Sequence, residues 1–292
     1  MSSDSGGKRQ LTLVNIYPGK FKYMKRTGAT EGAYRVVAFD LDETLGSFAD
    51  LHILWDSLPR ETFTQQEKHL IFGQLLDLYP EFIRVGIFKI LRFISRKIRD
   101  GKCGKILLYT NNQCRYPEWI RLLLYYFDRK CSGEKEKETI FDRPICAFKI
   151  KNQIIEPGRT SRDKIHGELL KCAKLPHHTE ICYIDDAYYR DMEHANVYYI
   201  QPPPYYHYLP ANVIERRLLL SRVFKDLAID DYEFPDEIDG SSIPLKLIGR
   251  DVDDEEVSKE IYTHIRAFFM MSSIESATRK YMRYLGRRTR RR

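Results

Sequence analysis

Four short apolar runs along the chain have the composition of buried strands, rich in Val, Ile, Leu and aromatic residues. They cover residues 34–39, 105–109, 180–184 and 196–200. Apolar positions at helical spacing lie between these runs, over residues 82–98, 119–127 and 163–172. Strands that alternate with helices predict right-handed crossovers and an α/β fold with a doubly wound, mainly parallel sheet.

Three other segments stand outside this alternation. Residues 128–160 contain a charged stretch and then two apolar pieces that predict a hairpin turning at 151–152, so we expect a small β insertion there. Residues 1–30 are rich in Ser, Gly, Lys and Thr and predict a flexible arm. The sequence therefore predicts one domain over 31–210, followed by a mostly helical C-terminal extension over 211–278.

The formal net charge of +7 is concentrated at the C-terminus. Residues 279–292 contain eight bases and no acid, so the rest of the chain carries a net charge of −1. A basic tail of this kind suits nucleic acid, an acidic protein partner or a nuclear import receptor, and the pattern does not choose among them.

The cysteines form no Cys-x-x-Cys pair, which indicates reduced thiols rather than a disulfide framework or a zinc site. The six are Cys103, Cys114, Cys131, Cys146, Cys172 and Cys182. No apolar run is long enough to span a membrane, and residues 1–20 lack the apolar core of a signal peptide. We therefore expect an intracellular protein, cytoplasmic or nuclear, with no membrane partner.

The first strand is followed by the string Asp-Leu-Asp-Glu-Thr-Leu, residues 40–45. Asp40 and Asp42 are two residues apart, so they project on the same side of an extended backbone. Such a pair can divide the work of phosphoryl transfer, because one carboxylate attacks phosphorus while the other moves protons. Solvated acids in a loop, or a helix cap, are the simpler interpretation of Asp-x-Asp alone. The buried strand before it favours the functional one.

Polar residues also follow the second strand and open a later helix. Thr110 and Asn111 come directly after the second strand, where a hydroxyl and free amides can bind phosphate oxygens, although such a turn is also an ordinary helix cap. Lys164 opens a predicted helix and could neutralise a phosphoryl group, a role for which Arg162 and Lys171 compete.

The third strand ends in the adjacent acids Asp185 and Asp186. Neighbouring carboxylates are costly unless a cation neutralises them, and their oxygens suit Mg²⁺. A solvated acidic turn is the alternative. Because the carboxyl ends of parallel strands meet at one edge of the sheet, we expect all these polar residues to lie together.

These elements, in this order, resemble the haloacid dehalogenase superfamily of phosphatases. Residues 40–45 look in particular like the branch that dephosphorylates the C-terminal domain of RNA polymerase II, which includes the NLI-interacting-factor-like phosphatases. The string Arg-Val-Gly-Ile at 84–87 is similar to that branch's Arg-Pro-Gly-Val, and the β insertion lies where that branch has one. The stretch 48–83 is longer than is usual there and suggests a helical cap.

The resemblance implies a role for each of the residues named above. Asp40 would be the nucleophile and a metal ligand, and Asp42 the general acid and base that lends its backbone carbonyl to Mg²⁺. Thr110, Asn111 and Lys164 would bind phosphate. Asp185 and Asp186 would complete the metal site.

Three functions follow from these expectations. The first is a Mg²⁺-dependent phosphatase acting on phosphoserine or phosphothreonine in a flexible peptide or protein. The second is hydrolysis of a small phosphate ester or of a nucleic-acid 3′-phosphate, with the basic tail binding the nucleic-acid backbone. The third is a non-catalytic structural or interaction protein that keeps the fold without turnover.

Overall fold

The computed structural model describes residues 12–23, 25–26, 34–112, 118–132, 139–227, 232–238 and 253–272. Its central sheet has the strand order β1-β8-β7-β3-β4. Four of these strands are parallel, and β1 pairs with β8 in the antiparallel sense. The five strands are β1 (Asn15–Tyr17), β3 (Arg35–Phe39), β4 (Ile106–Leu108), β7 (Glu180–Ile184) and β8 (Val197–Gln201). The prediction of a mainly parallel α/β sheet is therefore confirmed.

The middle of the sheet is buried on both faces, which explains its continuous apolar sequence. On β3, Val36 and Ala38 point to one face and Val37 and Phe39 to the other, and all four are fully buried. Because chain order reverses on the two sides of β3, a crevice forms at its carboxyl end, where Asp40 follows.

Helices cover both faces of the sheet. Helix α5 packs against the face of Val36 and Ala38, whereas α3 and α8 belong to the core on the other face. The described helices are α1 (Ala49–Ser57), α2 (Gln65–Leu78), α3 (Ile87–Arg99), α4 (Glu118–Ser132), α5 (His166–Cys172), α6 (Ala211–Leu220), α7 (Arg222–Leu227) and α8 (Asp254–Met270). None of the helices in this part of the chain is long and apolar enough to cross a membrane.

Residues 47–82 leave the sheet and return to almost the same point. The amide of Ser47 donates to the carbonyl of Phe82 at 2.8 Å, and Gly46 forms an antiparallel bridge with Ile83. Between these ends lie α1, two short 3₁₀ turns and α2, so the segment expected to be a cap is helical. Trp55 of α1 packs edge-on against Phe72 of α2 at 5.2 Å, which joins the two helices into one wall.

Two short strand pairs flank the main sheet. The strands β5 (Lys149–Ile150) and β6 (Gln153–Ile154) form the hairpin predicted in the β insertion, with Lys151 and Asn152 at φ of 43° and 66°. The strands β2 (Lys25–Arg26) and β9 (Met271–Ser272) form a second two-stranded antiparallel pair, which joins distant parts of the chain and is not a hairpin.

Two expectations need correction. Residues 12–23 are not a loose arm, because β1 pairs with β8 and the side chains of Val14 and Phe21 are buried in the core. Cys146 is disulfide-bonded, so the expectation of reduced thiols is wrong for that residue. Four cysteines are free, namely Cys103, Cys131, Cys172 and Cys182. Cys114 and the basic tail 279–292 lie outside the described residues.

Candidate active site

Polar side chains from the ends of β3, β4 and β7, together with Lys164 just before α5, converge on one cleft of about 720 Å³ at the carboxyl edge of the sheet. Six of the seven residues expected to form a site line it, namely Asp40, Asp42, Thr110, Asn111, Lys164 and Asp186. The seventh, Asp185, lies directly behind them and is fully buried. The convergence expected from parallel topology is thus observed.

The side chain of Lys164 lies between the carboxylates of Asp40 and Asp185. Its Nζ donates to Asp40 Oδ1 at 2.5 Å and to Asp185 Oδ2 at 2.7 Å, and its side chain is 1% exposed. Burial alone would lower the pKa of this ammonium, but the two carboxylates outweigh it and raise the pKa above its ordinary value. The lysine therefore stays charged. Asp40 Oδ2 has no hydrogen-bond partner among the described residues and remains accessible to the cleft.

Asp185 is held in place by two further donors. The hydroxyl of Tyr183 donates to its Oδ2, and the amide of Ala187 donates to Oδ1 at 2.9 Å. Neither Arg162 nor Lys171 takes the place expected for Lys164, because Lys164 alone among the three makes these contacts in the described structure.

Thr44 connects the loop after β3 to the loop after β7. Its hydroxyl donates to Asp186 Oδ1 at 2.9 Å and accepts from the amide of Asp186 at 3.0 Å. Burial raises the pKa of Asp186, and the nearby charge of Asp40 raises it further. The threonine thus fixes the position of a carboxylate that forms no ion pair among the described residues.

Three carboxylates at this edge have the geometry of a cation site. One oxygen each from Asp40, Asp185 and Asp186 lie within 4.8 Å of one another. This set of hard oxygen atoms fits Mg²⁺, which takes few protein carboxylates and keeps several waters. The carboxylate of Asp42 lies outside this trio and has a different environment.

Asp42 faces the cleft beside the trio. Burial raises its pKa from 3.8 to about 6, and the charges of Asp40 and Asp186 add to this effect. The side-chain amide of Asn112 donates to Asp42 Oδ2 at 2.9 Å and acts in the opposite direction. A carboxyl group with this pKa can exchange a proton near neutral pH.

The Thr110 turn is fixed by a buried arginine that the sequence did not reveal. Nη1 of Arg159 donates to the carbonyls of Thr110 at 2.9 Å and Cys146 at 2.8 Å, and Nη2 donates to Asn111 Oδ1 at 2.7 Å. The side-chain amide of Asn111 also donates to the hydroxyl of Tyr189 at 3.1 Å. The Asn111 side chain is therefore oriented by protein groups at the rim of the cleft.

A second buried arginine fixes the Asp40 loop. Arg84 donates from Nε to the carbonyl of Thr44 at 2.7 Å, and from Nη2 to the carbonyls of Glu43 at 2.6 Å and Pro203 at 2.9 Å. Glu43 has a left-handed backbone, with φ of 56°, which is uncommon for a residue with a side chain. Arg84 therefore stabilises the turn that follows Asp42.

The opposite wall of the cleft comes from the helical segment 47–82. His52 and Asp56 of α1 and Arg60 of the following turn line it. Asp56 accepts from Arg60 Nη1 at 2.9 Å and lies 3.1 Å from His52 Nε2. The sequence suggested a cap here but gave no sign of which side chains would face the acids.

Comparison of the chain with known protein families, with curated proteins and with solved structures finds no match. The fold and the arrangement of the cleft therefore carry the functional argument.

Proposed function

We propose that this chain is a Mg²⁺-dependent phosphatase of the haloacid dehalogenase type that forms an aspartyl-phosphate on Asp40. The observation that carries the proposal is the placement of Lys164 between Asp40 and Asp185 at an open cleft that also holds Asp42 and Asp186. A salt bridge that served only stability would have no need of the surplus acids around it.

Asp40 and Lys164 divide the first half of the reaction. Lys164 donates to Oδ1 and holds the carboxylate in place, which leaves Oδ2 to attack phosphorus. A bond forms between this oxygen and phosphorus as the ester P–O bond breaks. The leaving oxygen takes a proton from Asp42, which faces the cleft and whose pKa is raised to about 6.

The second half restores the enzyme. Ionised Asp42 takes a proton from a water molecule, whose oxygen attacks the phosphorus of the aspartyl-phosphate. Inorganic phosphate leaves, and Asp40 returns to its carboxylate form. Mg²⁺ bound by Asp40, Asp185 and Asp186 would offset the negative charge that nucleophile and phosphoryl group bring together.

Thr110 and Asn111 support phosphate binding at the same edge. Thr110 is buried under the cleft, and its hydroxyl accepts from the amide of Asn112 at 2.9 Å. Thr110, Asn111 and Asn112 line the cleft together with Asp40, where a turn of this kind can bind phosphate oxygens.

For the substrate, we propose phosphoserine or phosphothreonine in a flexible peptide, which is supported by the resemblance of residues 40–45 and 84–87 to the polymerase-tail phosphatases. A small ester or a nucleic-acid 3′-phosphate is the alternative within the same chemistry. A non-catalytic scaffold is the alternative outside it.

The test is phosphate release from an aryl phosphate with and without Mg²⁺, followed by a comparison of phosphopeptides with a 3′-phosphorylated oligonucleotide. We expect Mg²⁺-dependent release that is lost in Asp40→Asn. Release that persists in that variant, or no release under any metal condition, would overturn the phosphatase proposal. Hydrolysis of the oligonucleotide but of none of the peptides would show that the substrate is a nucleic-acid 3′-phosphate and not a phosphopeptide.

A further inference from the structure

The wall opposite the nucleophile carries a cation with unused donors. Arg60 contacts Asp56 through Nη1 alone among the described residues, and its side chain is 29% exposed. A guanidinium has five N–H donors, so its Nε and Nη2 edge is available to a ligand. Lys164 differs in this respect, because it is buried and already holds two carboxylates.

Arg60 is oriented rather than loosely tethered. Asp56 holds the guanidinium with one oxygen and faces His52 with the other. The ring of His52 packs against Trp119, at 5.5 Å between ring centroids, and Trp119 is buried in the core. These contacts, from Trp119 through His52 and Asp56, hold the Arg60 guanidinium on the wall of the cleft formed by α1 and the turn after it.

Charge gives this position its effect. The acids that line the cleft include Asp40, Asp42, Glu43 and Asp186, whereas Arg60 lies on the far wall. A second negative group on a substrate would be repelled near those acids and attracted near the guanidinium. Lys164 also lines the cleft, but it already pairs with Asp40 and Asp185. A doubly anionic substrate would therefore place its second group toward Arg60.

We infer that Arg60, oriented by Asp56, binds a second anionic group, a carboxylate or phosphate, on the leaving-group side of the phosphate ester. The inference rests on the proposed function of the cleft and deepens it by naming the class of substrate. The second anion could belong to a small molecule or to an acidic residue next to the phosphoresidue in a peptide.

Two matched pairs of substrates test the inference and separate these sources. The small pair is 3-phosphoglycerate and glycerol 3-phosphate, which differ in a carboxylate. The peptide pair is a phosphoserine peptide with either Asp or Ala beside the phosphoserine. The quantity measured is the ratio of kcat/KM for the acidic member to that for the neutral member.

In Arg60→Gln we expect this ratio to fall about tenfold to a hundredfold in at least one pair, as for the loss of one charge-assisted hydrogen bond. Arg60→Lys should retain part of the preference, because it keeps the charge without the planar fork. The matched control is Arg222→Gln, which removes another arginine that pairs with an aspartate four residues away, on the exposed surface of α7. An equal ratio in wild type and Arg60→Gln for both pairs would overturn the inference.

A binding measurement keeps the inference separate from catalysis. In the Asp40→Asn background, calorimetric titration with each member of a pair reports affinity without turnover. Preferential binding of the acidic member that disappears on adding Arg60→Gln supports the subsite, and unchanged preference refutes it. Absence of turnover in wild type with the binding preference intact would refute the phosphatase proposal and leave the subsite standing.

Discussion

The two ends of strands β3 and β7 handle charge in opposite ways. At the amino end, Arg35 and Glu180 are register partners and pair at 2.8 Å, and Lys20 lies 2.9 Å from the other carboxylate oxygen. At the carboxyl end of the same strands, Asp40 and Asp185 share one lysine, and further acids surround them. At the amino end one carboxylate is paired with two cations, whereas the carboxyl end has surplus negative charge.

This difference separates a structural ion pair from the proposed reactive site. Arg35 also donates to the carbonyls of Phe268 at 2.9 Å and Met271 at 2.6 Å, so it joins the C-terminal helix α8 to the sheet. None of its neighbours faces the cleft. At the carboxyl end, repulsion among the carboxylates raises the free energy of the isolated protein. A bound cation together with a phosphate ester would relieve this repulsion.

The largest expected effect is at the carboxyl end. Asp40→Asn should lower kcat/KM for an aryl phosphate by roughly four orders of magnitude, because the amide cannot form the acyl-phosphate bond. Phosphate release measured at saturating Mg²⁺ checks this expectation. A loss of less than tenfold would show that Asp40 is not the nucleophile.

At the amino end, the expected effect is on stability alone. Glu180→Gln leaves the buried Arg35 without its counter-charge and should lower the free energy of unfolding by about 3 kcal/mol. Activity per folded molecule should not change. Urea denaturation measures the free energy of unfolding, and an activity assay on the same samples measures turnover. A loss of activity without a loss of stability would contradict the purely structural role of Glu180.

A divalent cation should stabilise the carboxyl end. Mg²⁺ at a hundred times its dissociation constant should raise the free energy of unfolding by about 2.7 kcal/mol, since it binds the folded state. The gain should be strongly reduced in Asp186→Asn, and it should be retained in Glu180→Gln. Equal gains in both variants would place the cation elsewhere.

The smallest expected effect is a change in the free energy of unfolding in Asp42→Asn. It is a gain in stability, whereas Glu180→Gln at the amino end gives a loss. The pKa of Asp42 is raised from 3.8 to about 6, so the stability associated with its protonated form is lost as pH rises through about 6. At pH 7 the ionised carboxylate is therefore a cost, and Asp42→Asn should raise the free energy of unfolding by about 1 kcal/mol in the presence of a chelator.

Denaturation of wild type and Asp42→Asn at pH 7 and pH 5 measures this difference. It should shrink at the lower pH, where wild-type Asp42 carries its proton. Destabilisation by Asp42→Asn at pH 7 would show that this acid is a structural partner like Glu180.

The parts of the fold that depend on local pattern could be predicted from the sequence. The run before Asp40 is buried on both faces, so its apolar residues are continuous, and the topology then placed Thr110, Lys164 and Asp186 beside it. Strand β1 was missed because it has three residues, lies at the edge and is only partly buried.

The residues that position the site could not be predicted in the same way. Arg84 and Arg159 are almost fully buried and donate to backbone carbonyls. The sequence does not distinguish a buried arginine from the exposed arginines of this chain. Their roles come from contacts across 40 and 49 residues of sequence. The direction in which His52 and Arg60 face likewise depends on packing against α4, which spacing does not reveal.

The bridge between Gly46 and Ile83 brings the two ends of the helical segment 47–82 together. A Cβ at this glycine would meet the carbonyl of Phe82 at 2.3 Å and the ring of Phe48 at 2.5 Å, so the entrance and exit of the segment lie in close contact. Because its two ends already touch, lengthening or exchanging the segment costs little extra loop entropy and leaves the register of β3 untouched. The wall that faces the acids can therefore be exchanged without moving Asp40.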